Sequence, residues 1–105
     1  MSNSKWHSFL GLAQRAGKVV SGEETVMRVV RQKKAIIVIL SEDASERTKK
    51  TITNKCAYYQ IPLRTVPNRE ELGHAIGQPS RVLAAVTDTG LGNKLIALFD
   101  QSFRG

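Results

Sequence analysis

The sequence predicts an α/β fold: a three-layer α/β/α sandwich around a central, mostly four-stranded mixed sheet, in a single domain over residues 1–105. The hydrophobic period switches repeatedly between ~3.6 and short β-like runs, in the order α-β-α-β-α-β-α-β-α. The run Ala35-Ile-Ile-Val-Ile-Leu40 is β-branched and apolar on both faces, as expected of a central strand covered by helices on two sides. At 105 residues and 41% hydrophobic, the chain can bury one core and has no room for a second domain.

In chain order, Trp6, Phe9, Leu10, Ala13 and Ala16 form a helical stripe that Gly17 stops. Val19 and Val20 form a brief extended piece. Ser21, with Glu24 three residues on, has capping-box spacing and predicts a helix through Val26, Val29 and Val30 to about Gln32. After the strand at 35–40, Asp43 with Glu46 repeats that spacing and predicts a third helix to about Tyr59. Pro62 and a strand at Leu63 to Val66 follow. Asn68 with Glu71 opens a fourth helix carrying Leu72, Ala75 and Ile76, which ends at Gly77. The loop Gln78-Pro-Ser-Arg81 leads to a last strand at Val82 to Val86. Gly90-Leu-Gly-Asn then serves as turn and helix start for a closing helix with Leu95, Ile96, Leu98 and Phe99. It lacks the glycine spacing and Lys-Ser/Thr pair of a phosphate loop.

Sixteen Lys and Arg against nine Asp and Glu give a formal charge of +7, which points to a polyanionic partner, nucleic acid first. An anionic membrane comes second, and no membrane partner is expected because the longest apolar run, Ala35 to Leu40, is far below the ~20 residues a spanning helix needs. The polar start Met-Ser-Asn-Ser-Lys-Trp-His lacks the form of a signal peptide, so a cytoplasmic protein is expected. Cys56 is the single cysteine, and with His7 and His74 as the other soft ligands no spacing resembles a metal site. Cys56 shares a helical face with Ile52 and Tyr59 and is expected to be a core thiol. Neither histidine has a nucleophile or carboxylate at a catalytic spacing. No catalytic residue, metal or cofactor is expected.

The candidate binding segment is Lys18-Val-Val-Ser-Gly-Glu-Glu-Thr-Val-Met-Arg28. It reads as an apolar step, a small-residue turn and a helix N-terminus, whose unpaired N–H groups and positive dipole end lie between basic residues. A helical projection sets Val26, Val29 and Val30 on one face and Glu24, Arg28 and Arg31 on the other. Arginine forks match phosphate oxygens and the guanine edge, while Glu24 can accept from a base amino or imino group. The same residues also have a purely structural use, since Glu24 and Arg28 form an i,i+4 pair worth ~0.2–0.5 kcal/mol and Glu24 suits a helix cap. Trp6, Phe9, Tyr59 and Phe99 are assigned to helix faces, which leaves few stacking platforms and favours paired, shaped RNA over loose strand. Arg47, Lys49, Lys50 and Lys55 spread around the third helix and are expected to be solvated charge.

These segments also carry a family resemblance. Gly22-Glu-Glu-Thr-Val-Met-Arg28, Ala35 through Ser-Glu-Asp43, Ile61-Pro-Leu, Glu71-Leu-Gly-His-Ala-Ile-Gly77 and the closing apolar strand resemble the L-seven-Ae superfamily of ribosomal and kink-turn-binding proteins. Leu10 through Glu24 and Thr53-Asn-Lys-Cys-Ala-Tyr-Tyr59 resemble its bacterial YlxQ branch. The resemblance implies binding of the kink-turn, an RNA bend with tandem sheared G·A pairs beside a bulge. By position it implies that Gly22 allows close backbone approach, that Arg28 stands where the family has a basic residue, and that Gln78 to Val82 covers the bulged nucleotides. Two departures stand out. Glu24 and Thr25 replace an Asn-Glu pair, and Ser80-Arg81-Val82 replaces small apolar residues. A carboxylate at the Asn position donates no hydrogen bond, whereas Arg81 adds a group suited to phosphate.

The expected protein is a monomeric, non-catalytic binder of structured RNA, kink-turn or G·A-containing, with ribosomal RNA and the ribosome as expected partners. Lys18, Arg28, Arg31 and Arg81 would hold phosphates or guanine edges, Glu23, Glu24 and Thr25 would line the turn beside Gly22, and Ser80 and Val82 would complete the second loop. The alternative is a protein-interaction module or accessory subunit of ribosome assembly, with incidental basic charge.

Overall fold

The computed structural model describes residues 5–102. The elements are α1 (Lys5–Arg15), β1 (Val19–Ser21), α2 (Glu23–Arg31), β2 (Ile37–Ser41), α3 (Glu46–Tyr59), β3 (Leu63–Val66), α4 (Arg69–Ala75), β4 (Leu83–Val86) and α5 (Thr89–Ser102). The strands form one sheet in the order β1-β4-β2-β3. β4 is antiparallel to both neighbours and β2 is parallel to β3. Strands β1, β2 and β3 therefore point the same way, and their carboxyl ends share an edge of the sheet with the start of β4.

Helices cover both faces, which is why β2 and β4 are buried at every position. Side chains alternate between the two covers, as the two-residue period of a strand requires. Ile37, Ile39, Ala84 and Val86 pack with Trp6, Leu10, Leu72, Leu95 and Phe99 from α1, α4 and α5. Val38, Leu40, Leu83 and Ala85 pack with Val26, Val29, Val30, Ile52 and Cys56 from α2 and α3. The expected three-layer sandwich and mixed sheet are thus the observed ones.

Of the three expected helix caps, only Asn68 acts as one. Ser21 is the last residue of β1, paired with Ala84, and Gly22 takes the N-cap of α2 without a side-chain cap bond. α3 starts later than expected because Ser45, not Asp43, caps it by accepting from the Thr48 N–H at 3.1 Å. Asp43 is engaged elsewhere, accepting from the Ser41 hydroxyl at 2.7 Å and the Arg69 N–H at 3.2 Å. Its carboxyl is held below the usual range, chiefly by the Ser41 hydrogen bond. Asn68 caps α4 as expected, accepting from the Glu71 N–H at 2.9 Å. α5 begins ahead of the Gly90-Leu-Gly-Asn turn, since Asp88 already accepts from the Leu91 N–H at 2.9 Å and both glycines lie inside the helix.

Cys56 is buried, and burial pushes its thiol up to about 11, so it is protonated and inert at neutral pH. No described helix is long and apolar enough to cross a membrane.

Candidate nucleic-acid interface

The carboxyl ends of β1 and β2 meet the start of β4 through backbone hydrogen bonds, and the loop ahead of β4 bonds to the start of α4. Gly22 N–H donates to Leu83 O at 3.0 Å, Ser41 N–H to Val82 O at 2.9 Å, and Arg81 N–H to Arg69 O at 3.0 Å. This edge brings the N-terminus of α2 and the loop 77–82 together, although some 60 residues separate Ser21 from Arg81.

Gly22 makes the sharp turn from β1 into α2 at φ 95°, ψ 147°, a region open to glycine and strained for other residues. A Cβ there would meet nothing within 4 Å, so the cost of a side chain lies in the backbone, and the space outside is open to a ligand. Gly22→Ala is expected to destabilise the fold by about 1–3 kcal/mol, measured by denaturant titration. An unchanged midpoint would mean that the turn relaxes freely.

Helix starts leave four N–H groups without intrahelical partners. Here Gly22 spends its own on Leu83, and Val26 N–H begins the helical ladder on Gly22 O at 3.0 Å. Among the described residues, the N–H groups of Glu23, Glu24 and Thr25 have no acceptor, and no side chain caps them. Three donors and the positive dipole end thus face outward, but they share the first turn with two exposed carboxylates. The carboxylates oppose a phosphate there and suit a base edge that offers donors. Glu23 leans toward α3, where its Oε2 accepts from the Thr48 hydroxyl at a long 3.4 Å. Glu24 is exposed.

Val26, Val29 and Val30 are buried, and the opposite face of α2 presents Arg28 and Arg31 to solvent. Among the described residues neither arginine nor Glu24 joins an ion pair, so the structural pairing of Glu24 with Arg28 does not form. Both guanidinium groups keep their donors for a partner.

The second loop is anchored from two directions. Gly73 of α4 lies against Ser80, and a Cβ on it would stand 2.4 Å from the Ser80 Cα. Arg81 carries the other anchor: its Nε donates to the Ser21 Oγ at 3.1 Å, one Nη to the Ser80 carbonyl at 2.8 Å and the other to the Gln78 Oε1 at 3.2 Å. The sequence offers Arg81 as a free phosphate ligand. The structure uses all three of its nitrogens to tie loop 77–82 to the end of β1. Val82 packs its side chain against the α2 and α3 side of the core. Ser80 and Val82 thereby stay near the turn.

Lys18 is not gathered in. It sits exposed before β1, where its carbonyl accepts from Thr87 N–H at 2.9 Å, at the far end of the strand from Gly22 and roughly 13 Å away along an extended backbone. Sequence reasoning took Asp43 as a helix cap and missed Arg69; together they join the end of β2 to the start of α4, where an Arg69 Nη donates to the Asp43 carbonyl at 2.7 Å. It also missed Tyr58, whose ring is largely exposed. Neither signal was local, since both depend on which loops meet and which side of α3 the sheet covers. Among the described residues there is no cluster of His, Cys, Asp or Glu able to hold a metal ion.

A small basic α/β/α sandwich, with an open helix N-terminus and free arginines at one sheet edge, has the form of a nucleic-acid-binding domain. The chain belongs to the ribosomal protein L7Ae/L30e/S12e/Gadd45 family, whose model matches residues 4–96. It is similar to the RNA-binding protein YlxQ of Bacillus subtilis, with 51% identity over 95% of this chain and all of that one. The RNA-binding protein YlxQ of Enterococcus faecium is 37% identical over 94% of this chain and 95% of its own. A solved structure from Bacillus halodurans, of a protein of unknown function, superposes with TM-score 0.90 at 48% identity, covering 93% of this chain and 99% of that one. The 15.5 kDa RNA-binding protein of Giardia lamblia shares the fold, with TM-score 0.80 at 16% identity over 99% of this chain and 92% of its own.

Proposed function

We propose that this protein is a non-catalytic RNA-binding protein that recognises kinked, G·A-containing RNA of the kink-turn class, with ribosomal RNA as its source. The observation that carries the reading is the uncapped start of α2, where three N–H donors, two carboxylates and the Arg28 and Arg31 forks occupy one surface. The family membership and the names of its two YlxQ relatives support RNA as the ligand. A sheared G·A pair exposes base edges rich in donors, which Glu24 accepts, while the neighbouring phosphates lie toward Arg28 and Arg31. Loop 77–82, held by Arg81, closes the second side.

The test is a gel-shift titration of a kink-turn RNA against the same RNA with its G·A pairs converted to Watson–Crick pairs, at two salt concentrations. Preference for the kinked RNA at both salts is the expected result. Equal binding that vanishes with salt reduces the protein to a basic surface, because phosphate contacts alone carry that dependence. Binding to neither RNA transfers the interface to a protein partner. Arg28→Ala is expected to weaken kinked-RNA binding by about 1–3 kcal/mol, with less effect on the converted RNA. An equal, small loss on both assigns Arg28 to phosphate.

A further inference from the structure

Outside the turn, the largest unexplained feature is one side of α3. Thr51, Asn54, Lys55 and Tyr58 recur at i, i+3, i+4 and i+7 and line a shallow open depression. Tyr58 is 78% exposed, the more open of the two exposed large hydrophobic side chains among the described residues. Its ring makes a T-shaped contact with Tyr59, centroids 4.8 Å apart at 84°. Tyr59 is half-buried against the core formed under α2 and α3. The neighbour therefore orients the Tyr58 ring while leaving it open, so little rotamer freedom remains to be lost on stacking.

The position of this strip says what it faces. At ~100° per residue, Thr51, Lys55 and Tyr58 lie within about 60° of one another, and Thr48 adjoins Lys55 at the buried edge of that sector. Thr48 is the residue that reaches Glu23 at the start of α2. The side of α3 that touches the candidate RNA site at its top thus continues to Tyr58, roughly 15 Å down the helix axis. The charge along it is complementary to RNA: Lys55 lies in the strip and Arg47 beside it, on a helix whose single acid, Glu46, pairs with Lys49 at 3.4 Å. Among the described residues Lys55 joins no ion pair.

We infer that this face of α3 is a second RNA subsite, which takes an unpaired nucleotide from the strand flanking the RNA bound at the Gly22 turn. A base stacks on Tyr58, its phosphate meets Lys55, and Thr51 and Asn54 supply hydrogen bonds to sugar or base edge. The inference rests on the RNA-binding reading and extends it from a kinked duplex to its single-stranded flank.

The experiment is a fluorescence-anisotropy titration of the full chain with two kink-turn RNAs, one with blunt stems and one with a single-stranded extension on its stems. Wild type is expected to bind the extended RNA more tightly. Tyr58→Ala is expected to bind the extended RNA about five- to hundred-fold more weakly than wild type while binding the blunt RNA equally well. Tyr58→Phe keeps the ring and is expected to behave as wild type. Lys55→Ala is expected to lower the salt slope by about one, on the extended RNA alone. The inference is overturned if the extension adds no affinity, if Tyr58→Ala retains the gain, or if Tyr58→Phe loses it, since the hydroxyl would then be the contact. A Tyr58→Ala variant silent on both RNAs leaves this face to a protein partner. Wild type that binds neither RNA removes the RNA reading itself, and this subsite with it.

Discussion

Gly73→Ala is expected to be among the most damaging single-methyl changes in the chain. Its new Cβ would stand 2.4, 2.6 and 2.7 Å from the Cα, N and C of Ser80, all backbone atoms with no flexible end to swing aside. Overpacking against so rigid a partner costs about 3 kcal/mol. For a domain of this size that loss lowers Tm by more than ~10 °C, readable by circular dichroism. If α4 and the loop move apart to relieve the clash, Ser80, Arg81 and Val82 leave the Gly22 turn and binding of kinked RNA falls as well. Gly90→Ala is the control: its Cβ would have Asp88 Oδ2 at 3.5 Å as its nearest neighbour, an ordinary contact, and no loss of Tm is expected. Equal melting of Gly73→Ala and wild type would show that the Gly73–Ser80 packing is not tight in solution.

Arg81→Lys separates two uses of one residue. As a phosphate ligand, Arg81 would need chiefly its charge, and lysine would replace most of it. As a tie between Ser21, Ser80 and Gln78 it needs a planar fork with donors on three nitrogens, which an ammonium on a flexible stem does not reproduce. Arg81→Lys is therefore expected to resemble Arg81→Ala. Both are expected to lose about 1–3 kcal/mol of stability, as hydrogen bonds from a charged, half-buried group are worth, and to lose discrimination between kinked and converted RNA. Wild-type discrimination in Arg81→Lys with loss in Arg81→Ala would return Arg81 to the phosphate role.

Glu24 and Arg28 show how a local rule can be present and unused. Their spacing is that of a stabilising helix pair, yet both side chains stay apart at the surface. Such a pair is worth only ~0.2–0.5 kcal/mol, too little to hold two long side chains against solvent. Ser21 and Asp43 failed as caps for a different reason. Ser21 is held in β1 by its pairing with Ala84 and accepts from Arg81, and Asp43 accepts from Ser41 and Arg69, so both side chains are drawn to partners outside the helix starts. Asn68 has no such competitor among the bonds it makes and caps α4 as its sequence suggests.

The sequence by itself determined the number and order of the elements, the two-sided burial of β2, the core role of Cys56 and the place of the Gly22 turn. Periodicity, glycine conformation and β-branching act over a few neighbouring residues, so they are legible without the fold. Only the tertiary structure decided that the carboxyl ends of β1, β2 and β3 share one edge, that Lys18 lies at the opposite end from Gly22, and that Arg81 bonds to Ser21. It also decided that the α2 donors stay free and that Tyr58 faces outward. Those outcomes follow from strand register and from which loops the sheet order β1-β4-β2-β3 brings together. Pairings between residues 26 to 60 positions apart leave no periodic trace in a single chain, because each depends on the packing of everything between them.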